Sequence, residues 1–475
     1  MAKIITAEEK ELAQDLLERA RTAMRAVEHY DQARVDRLCQ AIAWVTYNEK
    51  SATRLANMSV DESGLGSREP SRRGKIAGIL RDALRQKSMG VIEELPERGI
   101  VKYAKSAGVI TSLIPVTSAY VTPASTAIYA VKCKDAVIFS PHPSSKKTTN
   151  ETVRLMREAL KTLGAPEDLL QCVEKPSIPL ANELMAIGDL TIATGGQAMV
   201  RAAYSSGKPA YGVGAGNATM VIDETADIEE AARNTAISKT NDYGSGCSAD
   251  GNLVVDASIY DKLLDRLQKE GGYLVTDNEK ALLEKAYWDA EGHRTAATIA
   301  RPASKVAELA GFSIPKDKKF FIVPETQIGK EHAFSREKLG VVLAVFQYSG
   351  GFESALDTVR RIFEVGGRGH SCGIYSFNDD HIHRLALMAP VSRIMVRQIQ
   401  SRSNAGTFTN GMPMTSSMGC GIWGGNITNE NISLKHYMNV TWVSRPIPED
   451  RPPDSELFGE FHNSELIRDQ EAVLS

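Results

Sequence analysis

Cysteine is scarce in this 475-residue chain, and it is scattered: Cys39, Cys133, Cys172, Cys247, Cys372 and Cys420 form no CxxC pair. So few thiols in so long a chain argue against a disulfide framework, and the ligand spacing of a structural zinc site is absent. Nine histidines offer one close pair, His381 and His383, which reads as part of a loop or surface helix, so no metal is expected. Neither charge is in excess, since 56 Lys and Arg against 59 Asp and Glu leave a net charge of −3. That balance lacks the basic surplus of a nucleic-acid binder and the polybasic patch of a membrane anchor. No apolar run approaches the roughly 18 residues that a bilayer span needs. The opening MAKIITAEEKELAQDLLERA lacks the apolar centre of a secretory signal. There is no internal repeat and no low-complexity tract. The expectation is a soluble, cytoplasmic protein of two or three domains with its thiols reduced.

Periodicity organises what is there. Residues 7–30 carry apolar side chains at helical spacing among charges and read as an amphipathic helix packed on its own domain. Residues 31–90 continue as helical segments with a turn at Glu62–Gly66. Beyond them, AKSAGVI, DAVIFS, LLQCVE and DLTIATG read as buried strands. They alternate with the helical runs TPASTAIYAVK, SSKKTTNETVRLMREALKTLG and PLANELMAI, a pattern that predicts a parallel α/β sheet. SSKKTTNE supplies N-cap residues for its helix, and Gly164 suits the other end. A second α/β region runs from 237 to 430 with strands GNLVV, FFIVP and VVLAVF. Residues 403–429, rich in Gly, Ser, Thr, Asn and Met, read as a site loop. From Arg445 onward the chain reads as an irregular tail on a surface or a neighbouring subunit.

Three segments carry candidate chemistry. In IATGGQAMVRAAY a strand runs into Gly195–Gly196 and then a helix, which aims free N–H groups at an anion such as a pyrophosphate. The same Gly pair alone could serve packing. In FSPHPSSKKT a strand ends near Ser140 and is followed by His142, Ser144 and Lys146. Two such strand ends are what an open α/β sheet needs to hold a dinucleotide. In DYGSGCSADGN, Cys247 sits on a Gly/Ser-rich turn where a thiol can meet substrate and backbone N–H groups can hold an oxyanion. Cys39 and Cys133, in apolar helical runs, read as structural.

These stretches, with GAPEDLLQCVEKPS, SSGKPAYGVGAGNATMVIDETADI, REKLGVVLAVF, GRGHSCGIYS and MGCGIWGGNITNENISLKHYMNV, resemble the aldehyde dehydrogenase superfamily in its CoA-acylating branch, over residues 30 to 445. The resemblance implies a Rossmann-like cofactor domain (1–236), an α/β catalytic domain (237–430) and a β oligomerisation arm from 95–107 and 431–475. It implies assembly as a homodimer or homotetramer. It makes Cys247 the nucleophile, which forms a thiohemiacetal and then a thioester. It places Ser140, His142, Gly195 and Gly196 on cofactor-binding segments and Glu337 against the nicotinamide ribose. Thr117 stands where hydrolytic relatives carry an oxyanion-hole Asn, so the backbone N–H of Cys247 and a neighbour become the expected donors. Those relatives also carry a Glu base about 34 residues before the Cys; here that position is Val213. Without a base, water is poorly activated, whereas a thiol near pKa 8–9 is already partly ionised. The expected acceptor is therefore coenzyme A.

For the aldehyde, the loop RIMVRQIQSRSNAGTFTNGMPMTSS contributes Arg397 and Arg402, whose forks suit a sulfonate or carboxylate; Ser248 is expected beside them, and Arg393 is expected to be structural. The resemblance implies sulfoacetaldehyde as substrate, then succinate semialdehyde, then acetaldehyde or propionaldehyde. Ser144, Ser145, Lys146 and Lys147 favour NADP, with NAD possible, because they could meet a 2′-phosphate.

Overall fold

A computed structural model describes residues 4–462; the end of the expected tail, 463–475, lies outside the described residues. The described chain divides into two compact units, one of residues 4–88 and 106–438, the other of 89–105 and 439–462.

The first unit holds two parallel sheets. The five-stranded sheet runs in the order Leu170–Cys172, Ala136–Pro141, Val109–Ile114, Leu190–Thr194, Ala210–Val213. Every residue of Val109–Ile114 and Ala136–Pro141 is buried. Two covered faces need apolar side chains at every position, which is why these strands read as unbroken runs. Successive strands leave Val109–Ile114 on one side and return on the other at Leu190–Thr194. The reversal opens a crevice at the carboxyl ends of those two strands, where open α/β sheets hold ligands.

The seven-stranded sheet runs Gly272–Leu274, Phe320–Glu325, Val342–Tyr348, Asn252–Asp256, Thr219–Ile222, Cys372–Tyr375, Ile394–Val396. Thr219–Ile222 pairs with Asn252–Asp256 and Cys372–Tyr375. The sheets therefore part between Val213 and Thr219, ahead of the division expected at 236. Leu253, Val254, Phe321, Val342 and Leu343 fill the core of this sheet, all inaccessible to solvent.

Helix Ala7–Val27 opens with a capping box, Thr6 accepting from Glu9 N and Glu9 from Thr6 N. Its buried stripe of Ala13, Leu16, Ala20, Ala23 and Val27 packs on its own unit, as its periodicity predicts. Two details differ from expectation. AKSAGVI is not one strand: the Asp135 carboxylate accepts from Ala107 N, Gly108 N and Ser106 Oγ, which turns the chain between Ile100–Ser106 and Val109–Ile114. Helix Lys146–Thr162 is not capped by its own serines. Glu62, at the end of helix Glu49–Ser63, accepts from Lys147 N and Thr148 N, both at 2.8 Å. At the far end Gly164 takes the left-handed conformation, with φ 69°.

The second unit is a three-stranded sheet of Gly90–Leu95, Ile100–Ser106 and Met438–Ser444, the first two antiparallel. Lys102 Nζ lies 4.2 Å from the centre of the Trp442 ring. Beyond Ser444 the chain is irregular up to the short helix Asp454–Phe458. No helix among the described residues is long and apolar enough to cross a membrane.

Candidate active site

A cavity of about 1140 Å³ lies in the first unit, on the crevice that the five-stranded sheet opens. Pro115–Ser118 and Gly195–Gly196, which come after the two strands at the reversal, form one wall. The opposite wall comes from loops that enter the seven-stranded sheet: Val213–Ala215, Gly246–Ser248 and Glu337. The reactive groups thus lie at the carboxyl ends of one sheet and the amino ends of the other.

Cys247 comes after helix Ile228–Thr240 through a turn in which Asp242 (φ 50°), Tyr243 (φ 53°) and Gly244 (φ 68°) are successively left-handed. Gly216 closes on the backbone of Cys247, since a Cβ there would fall 2.0 Å from the Cys247 carbonyl oxygen. Gly216 N donates to Glu337 Oε1 at 2.9 Å. Beneath, Lys338 Nζ donates to Gly251 O (2.9 Å) and to Asn252 Oδ1 (2.6 Å), and Asn252 Nδ2 donates to Asn217 Oδ1 (3.0 Å). These bonds tie GAGN, EKLG and the stretch after Cys247 into one support.

His370, unremarked in the sequence except as part of GRGHSC, meets Cys247: its Nε2 lies 3.0 Å from Cys247 Sγ, and its Nδ1 lies 2.8 Å from Ser371 Oγ. Burial pushes the Cys247 thiol up to about 12, with the Glu337 charge adding to it. Burial, then the nearby Arg393, pushes His370 down to about 3. Both groups are therefore neutral near pH 7, and with the imidazole proton on Nδ1, toward Ser371 Oγ, Nε2 is left to accept from the thiol. Burial also raises the Glu337 carboxyl to about 7. Lys75, likewise missed, reaches the cavity from helix Arg73–Leu84; burial, then Arg72, lowers its ammonium to about 8.

The expected residues separate. Cys247, Ser248, Thr117, His142, Ser144, Gly195, Gly196, Glu337 and Arg402 line the cavity, as does Val213, which is buried. Ser140, Lys146 and Arg397 do not. Ser140 is buried within Ala136–Pro141. Lys146 begins a helix whose first turn already caps on Glu62, so an acid holds the N–H groups that a phosphate would need. Arg397 donates to Glu230 Oε2 at 3.1 Å and stacks over Phe377, 3.7 Å from its centre, which turns it to another partner. Arg393 is structural: buried, it donates to the carbonyls of His370, Gly419 and Asn429. His381 is on a helix but buried rather than at the surface, its Nδ1 2.8 Å from Asp223 Oδ2.

The residues fit a dinucleotide. Helix Gln197–Tyr204 starts at Gly196 with no side-chain cap, and the space where a Gly196 Cβ would point is open. Backbone N–H groups there are free for phosphate oxygens. Among the cavity-lining residues Glu337 is the single carboxylate, against four cations, Arg72, Lys75, Arg301 and Arg402.

Comparison with known proteins agrees with this geometry. The profile of the aldehyde dehydrogenase family matches residues 1–387. A sulfoacetaldehyde dehydrogenase of Acholeplasma sp. is 43% identical, over 94% of this chain and 93% of its own. A sulfoacetaldehyde dehydrogenase (acylating) of Bilophila wadsworthia is 38% identical, over 94% and 97%. The crystal structure of an acetylating aldehyde dehydrogenase from Geobacillus thermoglucosidasius superposes with a TM-score of 0.90 at 33% identity, covering 94% of this chain and 99% of that one. The chain belongs to the aldehyde dehydrogenase family, and within it to the acylating enzymes.

Proposed function

We propose that this enzyme oxidises sulfoacetaldehyde to sulfoacetyl-CoA, with NAD(P)+ as oxidant and CoA as acyl acceptor. The observation that carries the chemistry is the contact between Cys247 and His370 beside Val213. A base touches the nucleophile, and Val213, not a carboxylate, holds the position from which hydrolytic relatives activate water.

Cys247 starts as a thiol, and in the imidazole tautomer that carries its proton on Nδ1 the thiol proton lies on the line to His370 Nε2. As Sγ bonds to the aldehyde carbon, that proton passes to Nε2 and then to the new alkoxide, giving the thiohemiacetal. Backbone N–H groups at Cys247 stabilise the oxyanion on the way, since Thr117 supplies no side-chain amide. The nicotinamide, when bound, accepts the hydride. His370 takes the hydroxyl proton as the carbonyl re-forms and releases it to solvent, leaving a thioester on Cys247. His370 next takes the proton of the CoA thiol as that sulfur attacks. The bond from carbon to Cys247 Sγ breaks, and the proton returns to Cys247.

Charge supports the aldehyde. Arg72 and Arg301 are engaged by protein groups, but the side chains of Lys75 and Arg402 have no hydrogen-bond or ion-pair partner among the described residues. Lys75 lies near enough to lower the Cys247 thiol. A sulfonate one methylene from the reacting carbon would meet such a cation, and both closely similar relatives carry sulfoacetaldehyde in their names. His142 and Ser144 are left to meet the adenosine ribose, and their placement favours neither nucleotide. The exposed strand Met438–Ser444, with Val440, Trp442 and Val443 outward, supports pairing with a second copy.

The test is reduced-nucleotide formation at 340 nm with sulfoacetaldehyde, succinate semialdehyde and acetaldehyde, with NAD or NADP, with and without CoA. Strict CoA dependence and preference for sulfoacetaldehyde are expected. Preference for succinate semialdehyde would leave the chemistry and remove the sulfonate, and turnover without CoA would overturn the acyl-transfer reading.

A further inference from the structure

The turn before Cys247 is held in a conformation that its own sequence disfavours. Asp242 and Tyr243 both carry a Cβ, yet both are left-handed, at φ 50°, ψ 41° and φ 53°, ψ 35°. Such residues persist only where their surroundings over-determine them, and they gather at working sites.

One side chain does most of the holding. The Arg72 guanidinium pairs with Asp242 Oδ2 at 2.8 Å, donates to Ser245 Oγ, and donates through Nη1 to the carbonyl of Thr117 at 2.9 Å. Ser245 Oγ also donates to Asp242 Oδ2 at 2.8 Å, and Asp242 Oδ1 accepts from Ser67 N at 2.6 Å. Arg72 is only one-fifth exposed and Asp242 less, so solvent screens the pair little. The fork spans two loops with different duties. One leads into Cys247; the other comes after Val109–Ile114 and lines the crevice of the five-stranded sheet.

We infer that Arg72 and Asp242 are positioning residues that fix the nucleophile turn against the Thr117 loop, and so set where Cys247 Sγ stands relative to a dinucleotide in the crevice. A planar fork with several directed donors does this; an ammonium, a point charge on a flexible stem, does not. Misplacement by an ångström can cost about a hundredfold in rate. The inference rests on Cys247 being the nucleophile, which alkylation mapping and Cys247→Ser test separately.

The experiment compares wild type with Arg72→Lys, Arg72→Ala, Asp242→Asn and the double variant Arg72→Lys/Asp242→Asn. It measures single-turnover hydride transfer, dinucleotide Kd and thermal midpoint. Hydride transfer should fall on the order of a hundredfold in Asp242→Asn and about tenfold in Arg72→Lys. Nucleotide Kd and midpoint should stay close to wild type, the double variant should be no slower than Asp242→Asn, and added guanidinium should restore part of the rate to Arg72→Ala. Hydride transfer within twofold of wild type would overturn the inference. So would a rate loss that only tracks the fall in midpoint, or fully multiplicative effects in the double variant. If Asp242→Asn does not fold, Arg72→Lys and guanidinium rescue of Arg72→Ala carry the decision.

Discussion

His370 Nε2 and Cys247 Sγ stand 3.0 Å apart, a neutral imidazole against a neutral thiol. The pair differs from a thiolate–imidazolium couple, because burial has pushed the two groups away from charge in opposite directions. In the proposed reaction Cys247 is therefore activated by proton transfer as it attacks rather than by standing ionisation. Cys247→Ser should lose CoA-dependent turnover while keeping nucleotide binding. His370→Gln should slow turnover by about a hundredfold, the low end for a general base, because burial leaves the imidazole weakly basic. In wild type, iodoacetamide labelling of Cys247 should keep rising with pH toward about 12, with no plateau near neutrality. A plateau near pH 7 would show a standing thiolate and remove this account.

Val213 ends the strand Ala210–Val213 and lines the cavity, and in the proposed reaction it stands in the place of a base for water. Replacing it by Glu should create CoA-independent release of free acid while CoA-dependent turnover falls. An increase of about a hundredfold in acid release over wild type is expected, at the low end of what a general base supplies. Acid formation is read by product analysis without CoA, and no increase in a folded variant would mean that water is excluded by something other than the missing base.

Lys75 and Arg402 bear on the aldehyde. Lys75→Met keeps the length of the side chain and removes its charge. It should lower kcat/KM for sulfoacetaldehyde by about a hundredfold, the scale set by losing a charged hydrogen-bond partner, and leave acetaldehyde nearly unchanged. Arg402→Met, on an exposed residue, should cost less. Equal losses on both aldehydes with Lys75→Met would assign Lys75 to the thiol rather than to the sulfonate.

The sequence made some of this legible and hid the rest for physical reasons. Strands buried on both faces must be apolar throughout, so DAVIFS and LTIAT stood out, and with them the loops they release, including Gly195–Gly196. A glycine-rich turn is a poor place for a structural thiol, so Cys247 stood out too. His370 did not, because it precedes its strand Cys372–Tyr375, and attention to the carboxyl ends of strands passes over the loops that enter the second sheet. Lys75 sits on a helix whose distance from the thiol only the tertiary fold sets. Arg397 and Arg402 are chemically alike on one loop; the Glu230 carboxylate, 167 residues away, separates them. The division of the two sheets was hidden because AYGV and TMVI are equally apolar, and pairing alone assigns them.

Glu337 connects the site to stability. Its carboxyl is raised from 4.5 to about 7, chiefly by burial. Below pH 4.5 it is protonated folded and unfolded alike, and its ionisation takes nothing from stability. Between pH 4.5 and 7 the folded protein holds a proton that the unfolded chain has lost, so stability falls as pH rises, and above pH 7 the loss is complete. Glu337→Gln removes this dependence while keeping an acceptor for Gly216 N. The variant should match wild type in unfolding free energy below pH 4.5 and exceed it above pH 7 by about 3 kcal/mol, read from denaturant unfolding across the pH range. Lys239 and Lys338 remain in both proteins, so a difference that grows through this window belongs to the carboxyl. A constant difference across it would mean that Glu337 is already ionised in the folded enzyme, and a difference that shrinks as pH rises would mean that the bond from Gly216 N to the carboxylate outweighs the burial of its charge.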